Sequence, residues 1–162
     1  FTQDESCGAC TPCRLGTKKM LDLLEDISEG RAEMDDLELL EKLTRGIKRS
    51  SMCGLGQTAP NPVLTTLKHF RDEYAEHINE KRCRAKKCRQ LISYRIDPDR
   101  CSGCGVCRKK CPENAIFGEN KSIHKIKQED CTRCGICFKV CPRRYSAVEC
   151  LAGRTAAAEG VS

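Results

Sequence analysis

Two cysteine runs of identical spacing, CSGCGVCRKKCP at 101–112 and CTRCGICFKVCP at 131–142, constrain this chain more than any other feature. They superpose at a constant offset of 30 residues, and each reads C-x2-C-x2-C-x3-C-P. Cysteines packed this tightly cannot pair with one another in good disulfide geometry, whereas thiolates suit a soft metal. Structural zinc usually takes its ligands as two pairs. A third Cys at the same short spacing, closed by C-P, is instead the run that binds 4Fe–4S clusters. Three thiolates within seven residues wrap one face of a cubane while the backbone between them turns its N–H groups toward sulfide.

The doubled run resembles that of bacterial-type ferredoxins. That resemblance implies crossed ligation, in which the fourth Cys of each run serves the other cluster. Cluster A would then take Cys101, Cys104, Cys107 and Cys141, and cluster B Cys131, Cys134, Cys137 and Cys111. Neither half completes its cluster alone.

Of the 162 residues 15 are cysteine, against 4% aromatic residues and no Trp. A chain so poor in large apolar side chains builds modest cores, so metal sites must supply much of its folding free energy. No apolar run reaches the length of a membrane span, and no apolar secretory segment is present, so a cytoplasmic protein without membrane insertion is expected. The chain opens on Phe1 and its first motif follows within a few residues, as expected of a piece of something longer.

The net charge of +6 is unevenly spread: residues 81–110 carry 11 basic and 2 acidic side chains, whereas residues 1–80 carry 10 and 15. The densest stretch, KRCRAKKCR, has no aromatic platform beside it, which argues against nucleic acid. An acidic protein such as a ferredoxin is the better partner, since complementary charge speeds encounter between electron carriers. A merely solvated basic surface is the plain alternative.

At the N-terminal end, ESCGACTPCRLG repeats the C-x2-C-x2-C spacing in Cys7, Cys10 and Cys13, without a fourth Cys three residues on. Before position 83 the remaining Cys is Cys53, in SMCGLGQTAP, so a third 4Fe–4S cluster is assigned to Cys7, Cys10, Cys13 and Cys53. Between these ligands the apolar periodicity predicts a helix from Thr17 to about Glu29, stopped by Gly30. A second is expected from Asp35, with Glu38 completing a capping-box-like start and Leu37, Leu40, Leu43 or Thr44, and Ile47 facing inward. Asn61 and Pro62 announce a third, with a seam of Val63, Leu67, Phe70, Tyr74 and Ile78.

ESCGxCxPCRxG, the two-helix insert and CGLGQTAPNPVLTTLKHFRDEY together resemble the C-terminal iron–sulfur part of the flavin- and NAD-binding subunit of respiratory complex I and its relatives. Running on into a double ferredoxin domain resembles the beta subunit of NAD(P)-linked, electron-bifurcating [FeFe]-hydrogenases and of related formate dehydrogenases. The resemblance spans about Phe1 to Cys150. It implies an electron-relay segment of a multi-subunit oxidoreductase, with other subunits as partners, and with flavin and NAD(P) bound in a region preceding these motifs. GLGQ at 54–57 is only G-x-G and follows no predicted strand, so it is not read as a dinucleotide loop. Relay segments of a formate dehydrogenase or an NADH-quinone oxidoreductase are alternatives; a zinc-bearing, non-redox interaction module is the rival of another class.

Residues 79–92 hold Cys83 and Cys88 outside every cluster run, and with His77 they make three ligands for a zinc ion. Cys150, a partner chain or water would complete it; two ordinary thiols and a surface histidine are the simpler reading. Beyond this junction LISYRI predicts a strand from Leu91 to Ile96, with Ala147–Leu151 beside it, and Ala115–Phe117 pairs with Ser122–Lys127. Val106, Ile116, Ile136 and Val148 are expected to wall the clusters, His124 to be exposed, and Cys150 to be a buried structural thiol. The expected architecture is α+β: an N-terminal helical bundle carrying one cluster (1–79), a basic junction (80–92), a 2[4Fe–4S] ferredoxin-like domain (93–151) and a disordered tail (152–162).

Overall fold

The structure, a computed structural model, describes residues 1–153. Ala152, expected in the tail, ends a strand, while residues 154–162 lie outside the described residues. Two compact units divide at Lys81 and Arg82.

The first unit is helical. Helix α1 runs Thr11–Glu29, six residues longer than the periodicity predicts. Pro12 lies in its first turn, where a missing N–H costs nothing, so Cys13 is already helical. Gly30 ends α1 in the left-handed region (φ 75°), and the N–H groups of Arg31 and Gly30 close back on the carbonyls of Asp26 and Ile27.

Helix α2 (Met34–Ser50) starts earlier than predicted. Its capping box uses Glu33 and Asp36, the Glu33 N–H donating to Asp36 Oδ2 at 2.9 Å, in place of Asp35 and Glu38. Leu37, Leu40, Thr44 and Ile47 are buried as the periodicity requires, and α2 packs against α1. Gly16 on α1 makes this contact close, because a Cβ there would stand 2.6 Å from the Ile47 side chain.

A short α3 (Gly54–Thr58) escaped the periodicity, being too brief to show one. The predicted third helix is broken into α4 (Asn61–His69), α5 (Arg71–Ala75) and a π-helical turn, Glu76–Glu80. The break falls at Phe70, whose φ of −133° leaves helical space. It re-phases the seam: Val63, Leu67 and Ile78 are buried, but Phe70 is 51% exposed. Across the break the Tyr74 hydroxyl lies 2.8 Å from Thr66 Oγ1.

The second unit opens with a loop from Arg82 and a 3-10 turn at Arg89–Leu91. Strand β1 (Ile92–Ile96) pairs antiparallel with the last strand, and Tyr94 lies opposite Cys150. Helix α6 (Val106–Lys110) precedes β2 (Ile116–Phe117), which pairs with β3 (Lys125–Ile126). Helix α7 (Ile136–Val140) and β4 (Val148–Ala152), the partner of β1, complete it.

The 30-residue repeat is visible in the backbone. Gly105 and Gly135 start the two short helices at φ 70° and 74°. Asp97 N–H donates to the Ala147 carbonyl at 2.7 Å, and Lys127 N–H to the Ala115 carbonyl at 2.8 Å. The first partners of these bonds are 30 residues apart and the second 32, because the segment after the second run is two residues longer. The strands pair as expected: β1 and β2 each begin one residue late, β3 keeps only two of its six expected residues, and β4 is shifted one residue toward the C-terminus; helices in one unit and two small sheets in the other give an α+β content.

Candidate metal centres

Two cavities in the second unit gather the eight cysteines of the doubled run. One is lined by Cys101, Cys104, Cys107 and Cys141, with Ile96 and Val148 among its walls. The other is lined by Cys131, Cys134, Cys137 and Cys111, with Ile116 and Ile136 among its walls. Each therefore joins the first three thiols of one run to the last thiol of the other. Local folding explains the exchange: Cys107 and Cys137 lie on α6 and α7, while Cys111 and Cys141 are the C-cap residues, turned out of the helix with extended φ,ψ. The two helices pack together, so each C-cap falls beside the opposite loop.

Burial pushes the Cys137 thiol up to about 12 and raises Cys107 as well, the neighbouring thiols adding to the effect. Four acidic sulfurs in such a pocket ionise together only when a cation neutralises them. Soft donors, apolar walls and this electrostatic deficit fit a 4Fe–4S group in each cavity. Val106, expected among the walls, is not among the lining residues; Ile96 and Ala147 stand in that cavity instead.

His124 is placed otherwise than expected. It is 1% exposed, lines the cavity of Cys101, and its Nε2 is buried without a hydrogen-bond partner. It stands two residues before Ile126, on the same side of the chain, and that side turns onto the first cysteine loop.

In the first unit Cys10 and Cys53 are the N-caps of α1 and α3, Cys13 is buried in the first turn of α1, and Cys7 and Cys53 are exposed. The backbone N–H groups of Met52 and Cys13 hold the Cys10 thiol below its ordinary pKa. Gly56 allows α3 to approach α1: a Cβ there would lie 2.5 Å from Ser51 Oγ and 3.2 Å from the Cys13 Cβ. Ser6 Oγ lies 3.3 Å from Cys13 Sγ and accepts the Gly8 N–H.

The remaining thiols are Cys83, Cys88 and Cys150. Cys83 is buried, and its sulfur accepts the N–H groups of Lys87 and Cys88 at 3.4 and 3.5 Å. Burial, reinforced by the Cys83 thiol beside it, pushes Cys88 up to about 11. Cys83 N–H and Gly153 N–H both donate to the Leu91 carbonyl, which ties this loop to the end of β4. In the other unit, His77 lies on the π-helical turn with Nδ1 2.7 Å from the Glu73 carbonyl; donation from Nδ1 puts the ring lone pair on Nε2. Cys150 is half-buried opposite Tyr94.

Both units thus carry the clustered thiols and tight turns that define iron–sulfur proteins. Residues 1–77 match the NADH-ubiquinone oxidoreductase-F iron-sulfur binding region, and residues 94–151 match the 4Fe-4S dicluster domain. Among curated proteins, the chain is 46% identical over 124 residues to HndC, the NADP-reducing hydrogenase component of Solidesulfovibrio fructosivorans, covering 76% of this chain and 25% of that protein. It is also 46% identical over 83 residues to a component of the NADH-quinone oxidoreductase of Streptomyces coelicolor, covering 51% and 18% respectively. A chain in the crystal structure of NAD+-reducing [NiFe]-hydrogenase in the H2-reduced state aligns with a TM-score of 0.46 at 39% identity, covering 49% of this chain and 14% of that one. This chain therefore spans a quarter or less of the length of these relatives. Among the described residues no helix is long and apolar enough to cross a membrane.

Proposed function

We propose that this chain is the electron-relay segment of a multi-subunit NAD(P)-linked oxidoreductase of the electron-bifurcating hydrogenase type. It would pass single electrons between a flavin site in a preceding region and a ferredoxin or partner subunits. The observation that carries the reading is the sorting of eight cysteines into two apolar cavities, each with four thiols drawn crosswise from both runs.

When bound, a 4Fe–4S cluster supplies one-electron redox chemistry, which divides the electron pair of a hydride into single steps. The chain's residues do the rest. Cys101, Cys104, Cys107 and Cys141 would hold one cluster, Cys131, Cys134, Cys137 and Cys111 a second, and Cys7, Cys10, Cys13 and Cys53 a third. Ile96, Val148, Ile116 and Ile136 exclude water from the first two sites. Gly56 and Ser51 hold Cys13 against the start of α3 at the third. An acidic ferredoxin as partner is supported by Lys86, Lys139 and Arg143, which border a shallow groove reaching Cys141.

Zinc at Cys83 and Cys88, with His77 as a third ligand, is part of the same proposal. In its support, two backbone N–H groups converge on the Cys83 sulfur, as suits a thiolate, and the His77 Nδ1 contact to a carbonyl is the arrangement that orients metal-ligating imidazoles.

Metal analysis tests the whole reading. The relay requires about twelve iron and twelve acid-labile sulfides per chain, with one zinc. A colourless protein holding chiefly zinc would sink it in favour of an interaction module. Anaerobic EPR at graded potentials should then resolve three separately reducing centres.

A further inference from the structure

The internal repeat sets Tyr94 and His124 at equivalent positions, 30 residues apart and two before Ile96 and Ile126. Each precedes one cysteine run but packs on the loop of the other. The Tyr94 hydroxyl would lie 2.7 Å from a Cβ at Gly135, between Cys134 and Cys137. His124 Nε2 would lie 4.0 Å from a Cβ at Gly105, between Cys104 and Cys107. Both rings line the cavity they cover.

The two differ in what their polar atoms meet. Tyr94 lies opposite Cys150 across the β1–β4 pair, and burial, with the Cys150, Cys137 and Cys134 thiols beside it, raises its phenol to about 12. His124 Nε2 is buried without a hydrogen-bond partner, although the Asn120 side-chain oxygen stands near it, 3.5 Å from the same Cβ position at Gly105. An unpaired buried polar atom of this kind is destabilising until it finds a partner. The surfaces around it are the Cys101–Cys107 loop and the Gly118 backbone, whose Cβ position lies 3.1 Å from the imidazole Cδ2. Within the cavity the acceptors a bound cluster would bring are sulfurs.

We propose that His124 tunes the cluster held by Cys101, Cys104, Cys107 and Cys141, donating a hydrogen bond from Nε2–H to one of its sulfurs. This rests on the cluster assignment above. A hydrogen bond to sulfur stabilises the more negative, reduced state, so it raises that cluster's reduction potential. At the sister cluster the equivalent position carries a phenol in place of an imidazole, so the two sites of the repeat are tuned differently.

The experiment is an anaerobic potentiometric EPR titration of the full-length, cluster-loaded protein, as wild type, His124→Gln and His124→Phe, with iron and sulfide counted in each. One cluster of His124→Phe is expected to shift to lower potential while the others keep theirs, and His124→Gln, which retains an N–H, recovers part of the shift. Full iron and sulfide with unchanged potentials in both variants would overturn the inference; a wild type lacking iron and sulfide overturns the relay reading instead. Should a variant fail to load, wild-type protein labelled with 15N-histidine decides by pulsed EPR. An imidazole-nitrogen coupling on a reduced cluster is expected, and its absence from every reduced cluster overturns the bond.

Discussion

The two units use cysteine in opposite ways. In the helical unit the buried cluster of apolar side chains, from Met20 and Leu23 through Leu37, Leu40 and Ile47 to Ile78, contains no thiol; Cys10, Cys13 and Cys53 sit at helix starts and Cys7 in the loop before α1, all outside it. In the second unit Cys83, Cys107 and Cys137 belong to the core itself, with five further thiols packed against it. One unit has a core that positions a site. The other has a site that replaces a core, because two small sheets and two five-residue helices offer little else to bury.

Stripping iron is the strongest way to break this contrast. Chelation under reducing conditions should abolish hydrogen-exchange protection from β1 to β4, since metal binding there is folding free energy. The amides of α1 and α2 should stay protected. Equal loss in both units would show that the helical core also depends on its cluster.

The converse is Leu37→Ala, at a site with no solvent exposure. It should cost the helical unit about 2–5 kcal/mol, read by chemical denaturation, without hastening iron loss from the second unit. Gly103→Ala should act the other way. Gly103 sits at φ 68°, and a Cβ there would stand 2.5 Å from the Lys121 backbone, at a cost of about 1–3 kcal/mol. Its signature should be faster iron release to a chelator, with the helical unit unaffected. The equivalent residue of the second run, Arg133, already holds φ 55° and reaches Gln90 Oε1 at 3.0 Å, so that loop has room where the first has none.

The smallest effect is expected from Glu41→Gln. The Arg71 guanidinium, donating a hydrogen bond to Glu41, holds its carboxyl below the usual range, with Arg45 adding to the attraction. The stabilisation is present above the ordinary carboxylate pKa of about 4.3 and is lost as pH falls through the lowered folded value. The pair is largely solvated, so the variant should lose about 0.5 kcal/mol or less at neutral pH. Below the lowered value wild type and variant should melt alike.

The cysteine spacing made most of the second unit legible. The 30-residue offset between matched runs announced a repeated arrangement and alternation the strands, while the five-residue helices α6 and α7 were too short to show a period. Less was legible where side-chain periodicity and backbone part company. Phe70 continues the seam of α4 by spacing, but the chain leaves helical geometry there and exposes it. His124, a polar residue expected to be exposed, lies just before β3, and period 2 puts it with Ile126 on the inward side. Neither the Pro12 start of α1 nor the Glu33–Asp36 box required hidden information; both were local signals outweighed by apolar spacing. The partner of each fourth cysteine was different in kind, since it depends on α6 meeting α7, a contact that no single segment encodes.

The two extra residues after the second run have a practical consequence. The repeat keeps its cross-strand bonds from Asp97 to Ala147 and from Lys127 to Ala115 although one return path is longer, with the surplus, around Arg143 and Arg144, exposed. That path is closed as a turn by the Tyr145 and Ser146 N–H groups on the Pro142 carbonyl, so a spin label carried on a substituted side chain at position 144 is expected to stand outward without disturbing either cysteine loop. It offers a fixed vantage point a few residues from Cys141.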